Sequence, residues 1–179
     1  YIVYVAGPWD PGLWLTAPFA ALTGFGTYQL FRSARRSAFR GRVDKDRPLS
    51  QEGQEQARRL IGVLGAFDVR KVYSSDALRC LDTVRPYAHT VHAPVAHEPL
   101  LSEEGFDNAP TAAFTRLDQI LGDWHPAVIC SHRPVLPALL EHLAGRLGVA
   151  APDVELPTGA AVVFHRLDRK ALAVEVVRL

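Results

Sequence analysis

At 179 residues the chain has room for one ordinary domain, and for two only if both are small. A composition of 48% hydrophobic, 22% charged and 9% aromatic residues excludes general disorder, collagen-like repeats and a coiled coil. Twenty basic residues against nineteen acidic leave a net charge of +1, too small an excess for a dedicated nucleic-acid binder.

The chain starts at Tyr1 and holds no Met, which reads as a fragment of a longer protein, and no signal-peptide pattern opens it. Tyr1 to Ala6 reads as extended. From Pro11 to Phe31 no residue is charged, but Pro11, Gly12, Pro18, Gly24 and Gly26 interrupt the run, so a membrane span is rejected. Residues 1–26 therefore stand as an unassigned apolar segment, and a domain is expected over residues 27–179. Thr27 to Ser33 is a short strand entering a basic loop, Arg32 to Arg47. Ser50 is the expected N-cap of a first helix whose Ala57, Leu60, Ile61 and Leu64 keep helical spacing, with Gly65 as its stop.

Val69 to Tyr73 is a strand followed by Ser74, Ser75 and Asp76, where a second helix begins, with Ala77, Leu78, Leu81, Val84 and Ala88 near one face. Pro99 to Gly105 reads as a loop, and Ala112 to Trp124 as a third helix striped by Phe114, Leu117, Ile120 and Leu121. Ala127 to Cys130 is wholly apolar, the pattern of a strand covered on both faces. A fourth helix follows from about Val135 to Leu147. Ala160 to Leu167 and Leu172 to Leu179 read as a hairpin across Asp168, Arg169 and Lys170. Four alternations of strand and helix imply an α/β class: a three-layer α/β/α sandwich with a mostly parallel central sheet and a C-terminal antiparallel hairpin.

In open α/β sheets ligands bind beyond the carboxyl ends of the strands. Three strand ends carry residues suited to an anion: Arg32-Ser33-Ala34, Ser74 to Arg79, and Ser131-His132. Two guanidiniums, an imidazole and helix N-termini converging there would make a phosphate site. The Glu103-Glu104 pair could add a carboxylic acid.

Three segments sharpen this: Arg47-Pro-Leu-Ser-Gln-Glu-Gly, Tyr73-Ser-Ser-Asp-Ala-Leu-Arg-Cys-Leu-Asp-Thr-Val, and Val128-Ile-Cys-Ser-His-Arg-Pro-Val-Leu-Pro. In this order they resemble the histidine phosphatase (phosphoglycerate mutase-like) superfamily over roughly Thr27 to Leu179. The chain looks most like the phosphatase-like domain that follows a Nudix domain in two-domain actinobacterial proteins of the MutT type. The resemblance implies metal-independent phosphoryl chemistry with no cofactor. A His after a strand-end Arg attacks phosphorus, two arginines and a second His hold the phosphoryl oxygens, and an acid protonates the leaving group. Residue by residue, Arg32 matches the strand-end Arg, Arg79 the second Arg and His132 the second His. Glu103 matches the acid, with Glu104 as the alternative. The nucleophile position falls on Ser33, where the family pattern has His. All seven histidines lie at position 89 or later, so none can fill that place.

A serine needs a base to attack, and His132 could serve only by leaving its phosphate-binding role. Two functions therefore stay open: a phosphohydrolase of phosphomonoesters or nucleotides, with Ser33 and His132 at work, or a degenerate pocket that binds phosphate or a partner. A Nudix-type domain or protein is the expected partner. No Nudix signature occurs in this chain, and neither a nucleic-acid nor a membrane partner is expected. Arg35, Arg36, Arg40, Arg42 and Lys45 read either as a solvated loop or as a polyphosphate clamp. His89, His92 and His97 match no metal pattern, and no metal site is expected. Trp9, Trp14 and Trp124 read as packing residues. Cys130 reads as inert core and Cys80 as half-buried helix packing. Two cysteines without a disulfide framework or Cys-x-x-Cys spacing point to a reducing, cytoplasmic setting.

Overall fold

The computed structural model describes residues 2–5, 26–31, 44–123, 125–152, 160–167 and 170–178. Helix α1 (Gln51–Ala66) starts where Ser50 Oγ accepts a hydrogen bond from the Gly53 backbone N–H at 3.1 Å, with Glu52 in its first turn. Its buried stripe is Gly53, Ala57, Leu60 and Leu64. The helix runs one residue past Gly65, the expected stop, and is capped at Phe67.

Strand β3 (Lys71–Ser74) begins two residues later than Val69. The reason is local: the backbone N–H groups of Arg70 and Lys71 both donate to Pro126 O, which holds the entry outside the ladder. Helix α2 (Leu78–Thr90) follows, with Ala77 rather than Asp76 at its N-cap. Strand β4 (Val95–His97) was not anticipated; three residues are too few for a period of two to show.

The segment expected as a loop from Pro99 to Gly105 contains a 3-10 turn, Pro99–Leu101, and the start of helix α3 (Glu103–Asn108). Ser102 caps α3 by accepting from Gly105 N–H at 2.9 Å. Helix α4 (Pro110–Gly122) opens on a proline, which the first helical position accepts because its missing N–H would be unpaired there anyway. Strand β5 (Ala127–Cys130) is buried throughout. Helix α5 (Leu136–Leu147) ends at Gly148 with φ 72°, a left-handed cap that favours glycine. Strands β6 (Ala160–Leu167) and β7 (Lys170–Arg178) form the C-terminal hairpin, β7 starting two residues before Leu172.

Strands β1 (Ile2–Val5) and β2 (Gly26–Phe31) complete a seven-stranded sheet of order β4-β3-β5-β1-β2-β6-β7. β4, β3, β5 and β2 run parallel where they pair; β6 is antiparallel to β2 and to β7. β1 pairs antiparallel with β2 and β5 and parallel with β6.

Alternation along the sheet builds two cores. Ala127 and Ile129 of β5, with Ala160, Val162 and Phe164 of β6, pack under α4 and α5 against Leu117, Ile120, Leu139 and Leu143. Val128, Cys130 and Ala161 point the other way, onto Leu60 and Leu64 of α1 and Val84 and Tyr87 of α2. Helices on both faces give the three-layer α/β/α sandwich, and they explain why β5 shows no polar alternation. Among the described residues no helix is long and apolar enough to cross a membrane.

Candidate functional site

β3 and β5 are parallel and in register, Ser74 opposite Cys130, so both chains leave the sheet at the same level. Beyond β3 come Ser75 and, two residues into the α2 region, Arg79. Beyond β5 come Ser131 and His132. β2, parallel to β5, ends at Phe31. Arg32 and Ser33 follow it directly and lie outside the described residues, as do Arg35, Arg36, Arg40 and Arg42, the three tryptophans and the Asp168-Arg169 turn.

The structure brings Arg79, Glu103 and His132 together. Arg79 is 2% exposed, and its Nη2 lies 2.8 Å from His132 Nδ1. Oε1 of Glu103 sits 3.4 Å from both that guanidinium nitrogen and His132 Nδ1. A guanidinium only donates, so Nδ1 accepts, and the ring proton is assigned to Nε2. Nε2 faces Ser75 Oγ at 2.8 Å, with Ser75 fully buried. Glu103 keeps its side chain 41% exposed, so among the described residues the cluster meets solvent at its carboxylate.

Glu104 is exposed, and its charge adds to the upward shift of the Lys45 ammonium. Of the two acidic residues, only Glu103 is placed beside the Arg79–His132 pair. Lys45 is the member of the basic cluster that is described. It is paired with Asp76 at the edge of this region, and the hydrogen bond to that carboxylate holds its ammonium pKa up.

The segment carrying Glu103 is fastened to both strand ends. Glu98 N–H donates to Ser74 O at 2.7 Å, and Ser131 Oγ donates to Leu101 O at 2.7 Å. The Glu98 carboxylate, 8% exposed, accepts from Arg116 Nε at 2.9 Å and Nη2 at 2.5 Å, and Arg116 lies 5.8 Å over the Tyr73 ring. Gly105 allows the tight turn: a Cβ there would meet Pro99 O at 2.1 Å.

Cys80 corrects its expected half-burial: it is fully buried, because α2 turns it onto the β5 end. Its Sγ donates to Ser131 O at 3.6 Å and lies 3.8 Å from His132 Nε2. Cys130 is fully buried as expected, and burial pushes its thiol pKa up. His89, His92 and His97 join no group of three metal-capable side chains among the described residues.

Sequence reasoning missed the individual roles of Ser75, Glu98 and Arg116. Ser75 lay within a strand end already marked as suited to an anion, but its bond to His132 spans 57 positions. Nothing in the local pattern signals the Glu98–Arg116 pair. Chemically, the cluster joins a guanidinium, an imidazole and, at its exposed edge, a carboxyl group, residue types suited to a tetrahedral oxyanion.

The three-layer sandwich carries this cluster at the ends of its parallel strands, which defines the class as an α/β protein with its polar cluster at the carboxyl ends of the sheet. The chain belongs to the histidine phosphatase superfamily (branch 1), which it matches over residues 32–127, more than half its length. It is 38% identical over 109 residues to an 8-oxo-(d)GTP phosphatase of Mycolicibacterium smegmatis, a match that takes in 61% of this chain. The chain spans only 34% of that relative's length. Its fold is similar to that of the protein histidine phosphatase SixA complexed with tungstate, with TM-score 0.57 and 19% identity over 76% of this chain and 85% of that one. It is also similar to a mycobacterial glucosyl-3-phosphoglycerate phosphatase complexed with VO3, with TM-score 0.58 and 17% identity over 82% and 99%.

Proposed function

We propose that this chain binds phosphomonoesters or nucleotides at the Arg79–His132 end of the sheet and handles them without a metal. The observation that carries this reading is the buried Arg79 guanidinium, 2.8 Å from His132 and 3.4 Å from the half-exposed Glu103. In it, Arg32, Arg79 and His132 hold the phosphoryl oxygens while Ser33 Oγ, at the nucleophile position, loses its proton to water and bonds to phosphorus; the ester P–O bond breaks as Glu103 gives its proton to the leaving oxygen, and water then hydrolyses the phosphoserine to release phosphate. The nucleotide class is favoured by the 8-oxo-(d)GTP phosphatase relative.

The second reading is a pocket that binds phosphate or a partner without turnover. The observation favouring it is Ser33 itself, whose hydroxyl is a far weaker nucleophile near neutral pH than a neutral imidazole. A Nudix-type domain or protein is the partner proposed, from the resemblance noted above. We also propose a domain over residues 27–179, to whose sheet β1 (Ile2–Val5) adds a strand from the segment before it, and a cytoplasmic setting, which two buried cysteines outside any disulfide favour.

Hydrolysis of an aryl phosphate without added metal, compared with Ser33→His, tests the two readings. Activity only in Ser33→His marks the native chain as a phosphatase-derived binder. Activity in the native chain that Ser33→Ala removes makes serine the nucleophile. Inactivity of both, with no phosphate binding, overturns the proposal.

A further inference from the structure

We infer that His132 exchanges its ring tautomer when phosphate binds, and that Ser75 is the positioning residue that permits the exchange. This inference rests on the phosphate-binding reading above. In the structure His132 Nδ1 points to the open side of the cluster, toward Arg79 Nη2 at 2.8 Å and Glu103 Oε1 at 3.4 Å. Nε2 points inward, toward Ser75 Oγ at 2.8 Å and Cys80 Sγ at 3.8 Å. Ser75 and Cys80 are both fully buried, and His132 is 2% exposed.

The two ring nitrogens thus face opposite chemistries. While Arg79 donates to Nδ1, that nitrogen carries no proton, and Nε2–H donates to Ser75 Oγ. A phosphoryl oxygen arriving at the open side is an acceptor. To hold it, Nδ1 must carry a proton and donate, while the Arg79 fork turns its N–H groups onto the anion. A neutral ring can do this only if Nε2 gives up its proton and accepts a hydrogen bond instead.

Ser75 suits that requirement. A hydroxyl donates or accepts by rotating about its C–O bond, so either tautomer keeps a good partner without any backbone shift. Through a transient imidazolium, Nδ1 takes a proton from water on the open side and the Nε2 proton is released to water, so the ring's charge is the same at start and end and no net charge is buried. Cys80 cannot replace Ser75. Its S–H is already directed at Ser131 O, and sulfur at 3.8 Å is a weak acceptor. Among the described residues, Arg79 and Glu103 face the ring at the Nδ1 side and the titratable thiol of Cys80 faces it at the Nε2 side.

The test is a long-range proton–nitrogen NMR spectrum of the histidine rings of the full chain, without and with saturating inorganic phosphate, alongside calorimetric titration. His132 is expected to carry its proton on Nε2 in the free protein and on Nδ1 in the phosphate complex. Ser75→Ala, a small change in a packed site, is expected to weaken phosphate binding about tenfold and to leave the ring proton on Nε2. Ser75→Thr, which keeps the hydroxyl, is expected to restore the exchange. A proton on Nδ1 before phosphate is added overturns the inference. So does an Nε2 proton that persists in the phosphate complex, or a Ser75→Ala chain that exchanges normally. Phosphate binding with no exchange sinks this inference alone. No phosphate binding by the unaltered chain sinks the functional reading as well.

Discussion

Arg79 and Arg116 are held near the same sheet end and are satisfied in opposite ways. Arg116 grips Glu98 through two nitrogens, at 2.9 and 2.5 Å, and its carboxylate partner is almost buried. Arg79, far more buried itself, meets an imidazole nitrogen at 2.8 Å and a half-exposed carboxylate only at 3.4 Å. A two-pronged guanidinium–carboxylate pair is already matched in charge and shape, so it suits a structural clamp. A guanidinium resting on a neutral base beside an offset carboxylate can trade both contacts for an incoming dianion. In the proposed reading, the difference separates the arginine that braces the site from the arginine offered to a ligand.

The comparison breaks first at Arg79. Arg79→Ala is expected to lower phosphate or vanadate affinity at least about a hundredfold, because the central charged donor is lost. A titration showing unweakened binding would put the pocket elsewhere. Arg116→Met is expected to leave some phosphate binding but cost about 2 kcal/mol in urea unfolding, since Glu98 is left buried and Arg116 is itself one-third exposed. If instead Arg116→Met abolished binding without loss of stability, the two arginines would have changed roles.

Gly105→Ala sharpens the contrast between clamp and ligand residue. The new Cβ collides with the Pro99 carbonyl, so the turn must open and carry Glu103 away, at about 1 kcal/mol of stability. Turnover of substrates with poor leaving groups should fall more than that of aryl phosphates, because only the former depend on the acid. An equal fall for both would separate Glu103 from leaving-group protonation.

Tyr87 gives the smallest effect and lies away from the site. Burial pushes its pKa up to about 12, and its hydroxyl donates to Val69 O at 2.9 Å. The folded chain holds the protonated phenol, so this contribution to stability is complete below pH 10 and fades as pH rises towards 12. Tyr87→Phe should therefore lose less stability at pH 11 than at pH 8. A constant difference between those two values would contradict the assignment.

Much of the fold was legible because its signals are local. The Ser50 cap, the apolar stripe of α1 and the unbroken run Ala127 to Cys130 each depend on neighbours within a turn or a strand. The misses were short elements: β4 has three residues and α3 six, less than either periodicity needs. Of the candidate site, Arg79, Glu103 and His132 are named by the family resemblance that the order of their segments carries. Arg32 and Ser33 were named in the same way and lie outside the described residues.

By itself, the amino-acid sequence determined the α/β alternation, the caps and the strand ends where chemistry would gather, since near neighbours dictate all three. Tertiary structure decided which of Glu103 and Glu104 faces Arg79, that Ser75 backs His132 across 57 positions, and that Glu98 and Arg116 pair across 18. Those choices follow from strand order and register, which place the β3 and β5 ends side by side and have no counterpart in local sequence.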